Sequence, residues 1–283
     1  MIKLFKKFHI HPVFWVVLAG GLLTGHVWDI VTVFFIVMVH EMGHACVASY
    51  FKWRITAIEL LPFGGVAKVD EHGNRPFKEE LLVTLAGPIQ HLWLPGISYL
   101  LLRTPFWNVD NHVVFLTANT TILIFNLLPI WPLDGGKFLF LLLSKCFPFK
   151  KAFRSALLLS LFFLLALATA FILYRPASLN FIVVVIFIGF SIYQEWKHQK
   201  VVFMRFLLER WRTRPFTRRR VRTLMAEPDW PIWMVFDLFF KDNSHHILLT
   251  SREHSVIHES TLLEAYFGGK QIDHKLGEFI NVS

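Results

Sequence analysis

At 283 residues, 54% hydrophobic and with 30 phenylalanines, the chain carries more apolar surface than one soluble core of that size would bury. A formal net charge of +9 raises nucleic acid as a partner. The basic residues, however, cluster beside apolar runs and in one arginine-rich patch, a placement that fits anionic lipid on a cytoplasmic membrane face instead. The two cysteines, Cys46 and Cys146, suit neither a disulfide framework nor a thiolate zinc site.

Met1 to His11 is basic and leads into an apolar run starting near Pro12. No small-residue cleavage site precedes Trp28 and Asp29, and five further apolar segments follow, so an uncleaved anchor is expected. Six spans are predicted, over about 12–28, 30–51, 82–102, 113–143, 153–174 and 179–196. Most match the roughly 20 residues that a helix needs to cross the hydrocarbon core. The fourth is too long for one straight crossing, and Pro129 and Pro132 interrupt it, which predicts a broken helix. Irregular backbone at that depth requires protein or a water-filled cavity around it. Lys and Arg concentrate on the N-terminal arm and on the second-to-third and fourth-to-fifth connections, leaving only Arg103 and Arg175 opposite. Both termini are therefore expected in the cytoplasm.

Between the second and third spans, Ile55 to Leu61 and Val66 to Val69 flank Pro62-Phe63-Gly64-Gly65, which reads as two short strands around a glycine turn. A strand edge there is able to pair with an extended peptide by β-addition; a solvated hairpin without a role fits equally well. Lys197 to Arg222 is rich in Lys and Arg, including Arg218-Arg219-Arg220. It reads either as a linker helix lying on the membrane surface or as a solvated basic helix. Val221 to Ser283 mixes strand-like Ile-Leu-Leu-Thr with glycines and charge, as a small α/β unit does.

The chemistry concentrates at Val37-Met38-Val39-His40-Glu41-Met42-Gly43-His44 inside the second span. Residues four apart share a helix face, so His40 and His44 both offer imidazole nitrogen to one metal, with Glu41 beside them. This is the H-E-x-x-H arrangement of zinc hydrolases. Ionisable groups in a spanning segment are costly and point to function. A catalytic zinc keeps three protein ligands and one open position, and the third candidate is Asp134, in the interrupted fourth span. N-capping the helix from Gly135 onward is the alternative for Asp134. Glu41 is the candidate general base. Asn126 is a candidate oxyanion donor, or else a buried amide satisfying carbonyls freed around Pro129. Most of the remaining histidines, His91 and His245-His246 among them, read as interfacial or surface residues, with contact to the metal or control of access to it as the alternative for each.

His40-Glu41-x-x-His44, Leu133-Asp134-Gly135 and the preceding Asn126-x-x-Pro129 together resemble the site-2 protease family of intramembrane zinc metalloproteases. The resemblance implies one zinc ion held by His40, His44 and Asp134, with Glu41 as catalytic acid and base. Phe63-Gly64-Gly65 is similar to the family's edge-strand or re-entrant element, a candidate substrate contact. The C-terminal Val221-x-x-Leu224-Met225, Asp237 to Phe240 and His245-His246-Ile247 resemble a single CBS domain. The implied fold is a polytopic α-helical membrane protein with six transmembrane helices and a small C-terminal α/β CBS-like cytosolic domain. Its parts are a metalloprotease domain at 1–196, a basic linker helix at 197–222 and a CBS-like regulatory domain at 223–283.

This layout is similar to the sporulation branch of the family. That likeness implies a membrane-associated sigma-factor precursor (pro-sigma-K-like) as substrate, in the mother-cell membrane surrounding the forespore. It also implies membrane-embedded inhibitory proteins, adenine nucleotide at the CBS-like domain and a homo-oligomer. The rivals are a site-2-type protease acting on an anti-sigma factor, a CBS-gated membrane metal transporter, and a non-catalytic scaffold. Glu41 separates hydrolysis from transport, because only hydrolysis requires a carboxylate beside the water.

Overall fold

The computed structural model describes residues 8–10, 25, 27–53, 55–61, 64–69, 75–174, 179–212, 220–250, 256–269 and 275–278. Among them are eight helices and six short strands. The first expected span lies outside the described residues except for Gly25, Val27 and Trp28. By contacts the chain forms two compact units, 1–71 with 78–138 and 163–188, and 72–77 with 139–162 and 189–283.

The first unit is built on α1 (Val27–Tyr50), α2 (Phe77–Leu101) and α3 (Val109–Leu127). Asp29 in the first turn of α1 complements the positive end of the helix dipole. Thr32, Ile36, His40, His44 and Ala48, each four residues from the next, run along the buried face of α1. Trp28, Val31, Val33 and Phe35 of the same helix are exposed, the reverse of the pattern that water imposes. Ile36, Leu94 and Phe115 form the core between the three helices, with Val39, Trp107, Ala118 and Ile122 packed against it.

After α1 a hairpin of β2 (Ile55–Leu61) and β3 (Gly64–Val69) pairs antiparallel, and β1 (Phe8–Ile10) lies parallel against β2. Gly64 and Gly65, expected in the turn, instead pair with Leu61 and Leu60 in the ladder. Phe63 lies outside the described residues.

The expected break in the fourth span is present. α3 stops at Leu127 and α4 (Asp134–Cys146) begins after six intervening residues. Prolines at 129 and 132 remove two backbone donors and forbid a continuous helix. The connection is satisfied by tight bonds instead, from Leu128 N–H to Phe125 O, Ile130 N–H to Leu128 O and Leu133 N–H to Ile130 O. A β-carbon on Gly135 would meet the Leu127 and Leu128 carbonyl oxygens at 2.3 Å, and one on Gly136 would meet the Trp131 nitrogen at 2.4 Å. The Gly-Gly pair therefore lets the start of α4 lie directly against the broken backbone.

Next in the chain come α5 (Phe149–Tyr174) and α6 (Leu179–Arg212). From the span expected over 179–196, α6 runs on without a break into the expected basic helix and ends at Arg212. No Gly or Pro occurs from Phe190 to Arg214 to stop it, and Phe206, Leu207 and Arg210 at its far end are buried. By length and composition, Val27–Tyr50 and Phe149–Leu173 are sufficiently long and apolar to cross a membrane. α4, with only 13 residues, is shorter than a crossing requires.

In the second unit, β4 (Arg220–Ala226), α7 (Ile232–Phe236), β5 (Asn243–Leu249), β6 (Val256–His258) and α8 (Glu259–Phe267) follow in order. The sheet order is β4-β5-β6, β4 parallel and β6 antiparallel to β5. Helix ends are fastened to this body: Phe149 N–H donates to Phe239 O, Lys150 pairs with Asp237 at 2.5 Å, and Phe149 stacks on Phe206 with centroids 4.1 Å apart. Arg210 and His245, the latter expected at the surface, are both buried around Glu259.

Candidate metal centre

Helical spacing brings His40 and His44 to one buried face of α1, and the break before α4 brings Asp134 to meet them. The two Nε2 atoms are 3.1 Å apart, and each lies 3.0 Å from Asp134 Oδ2. Relative exposures of 3%, 6% and 4% remove all three from solvent. A tetrahedral zinc with bonds of about 2.0 Å sets its ligand atoms roughly 3.3 Å apart. Two imidazoles and one carboxylate converging at this spacing fit a zinc ion with an open fourth position, and these residues form the candidate metal cluster among the described residues.

Surrounding groups aim the donors. His44 Nδ1 lies 2.7 Å from the Val83 carbonyl oxygen, which only accepts, so Nδ1 carries the proton and Nε2 keeps its lone pair. Two glycines let α1 and α2 approach. A β-carbon on Gly43 would meet Ala86 O at 2.5 Å, and one on Gly87 would strike both histidine rings. Asp134 divides its oxygens: Oδ2 faces the histidines, while Oδ1 accepts from Lys137 Nζ at 3.0 Å. Its carboxylate is thus directed into the cluster rather than used to cap α4.

The other expected residues are placed as follows. Glu41 is buried beside His40 and lies within electrostatic range of His44 and Lys137. Asn126 donates one amide N–H to Ile122 O at 3.0 Å, one turn back in α3 rather than to carbonyls around Pro129. Gly64 and Gly65 belong to β3, described by its backbone pairing alone.

Four contributors went unread in the sequence: Gly87, His91, Asn119 and Lys137. Expected among the interfacial or surface histidines, His91 is instead 1% exposed, with Nε2 3.0 Å from His40 Nδ1. A signal for it exists. Thr84, His91 and Ser98 recur every seven residues in a stretch of α2 that is apolar but for Gln90, and all three are buried.

Comparison with known proteins fits this centre. The chain is 38% identical over 281 residues to stage IV sporulation protein FB of Bacillus subtilis, covering 99% of this chain and 98% of that one. The signature described as Peptidase family M50 matches residues 28–108 and 103–168. The chain belongs to peptidase family M50. As an M50 peptidase it is a zinc metalloprotease of the site-2 type. A zinc metalloprotease of Methanocaldococcus jannaschii is 32% identical over 171 residues, 58% of this chain and 48% of its own length. The solved site-2 protease from the same organism superposes with a TM-score of 0.53 at 28% identity, covering 66% of this chain and 89% of that one. This M50 member accordingly has the site-2 protease fold, and both M50 segments contain candidate ligands, His40 and His44 in the first and Asp134 in the second.

Proposed function

We propose that this M50 peptidase is an intramembrane endopeptidase of sporulation that removes the pro-segment of a membrane-associated sigma-factor precursor. The observation that carries the reading is the convergence of His40, His44 and Asp134, two of them ninety residues apart, on one buried point beside Glu41. Near full-length likeness to a stage IV sporulation protein supports the biological setting. Six spans with both termini cytoplasmic, in the mother-cell membrane around the forespore, complete the proposal. So do membrane-embedded inhibitory partners and the division at 1–196, 197–222 and 223–283. The β–α–β–β–α order of the C-terminal body supports a CBS-like regulatory domain, and adenine-nucleotide binding and homo-oligomerisation there are part of the same proposal.

His40 Nε2, His44 Nε2 and Asp134 Oδ2 would hold the zinc. When bound, zinc supplies a Lewis acid that polarises a carbonyl and lowers the pKa of a water toward about 7. Glu41 removes a proton from the attacking water as the new C–O bond forms. It then returns that proton to the amide nitrogen as the C–N bond breaks, so the carboxylate is unchanged over the cycle. The second N–H of Asn126 is the proposed donor to the developing oxyanion. Gly64 and Gly65 at the start of β3, with Phe63 before them in sequence, are the proposed docking edge for an extended substrate. Burial of Glu41 and both histidines keeps bulk water away from the transfer.

The test is co-expression of the chain with the sigma-factor precursor of its own genome, comparing wild type with Glu41→Gln. The expected result is precursor processing that stops in the variant while its zinc content stays near one per chain. Normal processing by Glu41→Gln would remove the general base from the scheme. Processing of an anti-sigma factor in place of the precursor would select the rival substrate, and zinc uptake into vesicles without any cleavage would select transport.

A further inference from the structure

We infer that His91 and Asn119 are positioning residues for His40: through a file of hydrogen bonds they decide which of its ring nitrogens faces the metal. The inference rests on the zinc-centre reading and extends it to α2 and α3. It starts at the far end of the file. Asn119 Nδ2 lies 3.1 Å from the His91 carbonyl oxygen, which only accepts, so the NH2 end of the amide points there. The other end, Oδ1, is then the atom 2.8 Å from His91 Nδ1, and an amide oxygen only accepts. His91 Nδ1 therefore carries a proton, and neutral His91 has a lone pair on Nε2. That lone pair is 3.0 Å from His40 Nδ1 and accepts its proton. His40 is left with its lone pair on Nε2, the atom beside Asp134 and His44.

Each step follows from an atom that has one role. The two candidate ligands are thus set by two points on α2 eight residues apart, His44 by the Val83 backbone and His40 by the His91 side chain. Gly87 lies midway between them, where a side chain would collide with both rings. His91 and Asn119 are 1% and 2% exposed, so no bulk water is at hand to replace either partner. Groups that orient metal-ligating histidines in this way typically change metal affinity by 10–100-fold when removed. A purely structural polar contact between α2 and α3 would hold the helices together without moving that affinity.

The experiment uses the full chain purified in detergent. Zinc affinity is measured by competition with a chromophoric chelator, and ligand geometry by the visible absorption of the cobalt(II)-loaded protein. His91→Leu is expected to bind zinc 10–100-fold more weakly and to change the cobalt bands. His91→Gln offers an acceptor oxygen to His40 and an N–H to Asn119, and is expected to stay within about threefold of wild type with unaltered bands. Asn119→Ala removes only the distal partner and carries the test if His91→Leu does not fold. Folded His91→Leu or Asn119→Ala protein with wild-type affinity and spectrum would overturn the inference. If in that case wild type binds zinc and His40→Ala abolishes it, the metal centre stands and only the positioning role falls. A wild-type chain that binds no zinc would overturn both.

Discussion

The β-carbon that Gly87 lacks would stand 2.2 Å from Nε2 of His44, inside any permitted contact. It would also come within 2.7 Å of Cε1 of His40. Gly87→Ala therefore pushes the candidate ligand atoms out of line while leaving the helix free to form. Zinc affinity is expected to fall by about 100-fold, the upper end for disturbing a ligand's surroundings. Gly96, in the same helix, has open space where its β-carbon would be. Gly96→Ala is the control and should retain zinc, with stability unchanged or raised by about 0.4–1 kcal/mol. Chelator competition on both variants checks the contrast.

Gly135→Ala tests the junction that delivers Asp134. The added methyl would lie 2.3 Å from two backbone carbonyl oxygens, which have no flexible side chain to move aside. A loss of roughly 1–3 kcal/mol is expected from the forced backbone shift, together with loss of zinc as Asp134 leaves the histidines. Thermal unfolding in detergent and metal analysis of the same sample measure both effects. An unaltered zinc content would show that α4 starts independently of the preceding turn.

Arg210 anchors the end of α6 in the C-terminal body. Its side chain is fully buried, pairs with Glu259 at 2.9 Å and donates to the Phe240 carbonyl. Arg210→Met leaves Glu259 without its cation, and breaking a buried pair from one side is expected to lower stability by about 3–5 kcal/mol. Replacing both partners, as Arg210→Met with Glu259→Gln, should recover part of the loss. Hydrogen exchange across residues 220–278 would register the change.

Acidification is expected to loosen the same body. Burial holds the His245 imidazole below its ordinary value of 6.5, and its Nε2 accepts the Phe240 N–H, a bond that protonation destroys. The unfolded chain binds that proton more readily, so stability declines as pH drops below about 6.5. Glu259 is held below its ordinary 4.5: burial opposes this, but the His245 hydrogen bond and the Arg210 charge outweigh it. Its contribution persists above 4.5 and fades as pH drops further. Exchange protection at residues 243–249 should therefore fall between pH 7 and 5.5, and His245→Gln should flatten that slope. A slope unchanged in His245→Gln would place the pH dependence elsewhere.

What could be read without coordinates was whatever depends on near neighbours in the chain. His40 and His44 share a helix face because four residues make about one turn, and the fourth span breaks at Pro129 and Pro132 because proline cannot continue a helix. Asp134 stood out as a carboxylate in that interruption, and the hairpin after α1 was legible apart from the exact place of its glycines. Asn119, Gly87 and Lys137 were not legible as part of the centre, and the seven-residue recurrence of Thr84, His91 and Ser98 marks an inward face of α2 without naming the partner that His91 meets. Where the exposed faces of α1 and α5 are as apolar as the buried ones, hydropathy no longer says which way a residue points. The meeting of His40 with a histidine 51 residues away, and of His44 with an aspartate 90 away, was decided by how closely glycine let the helices pack. That distance is set between helices, and no local period records it.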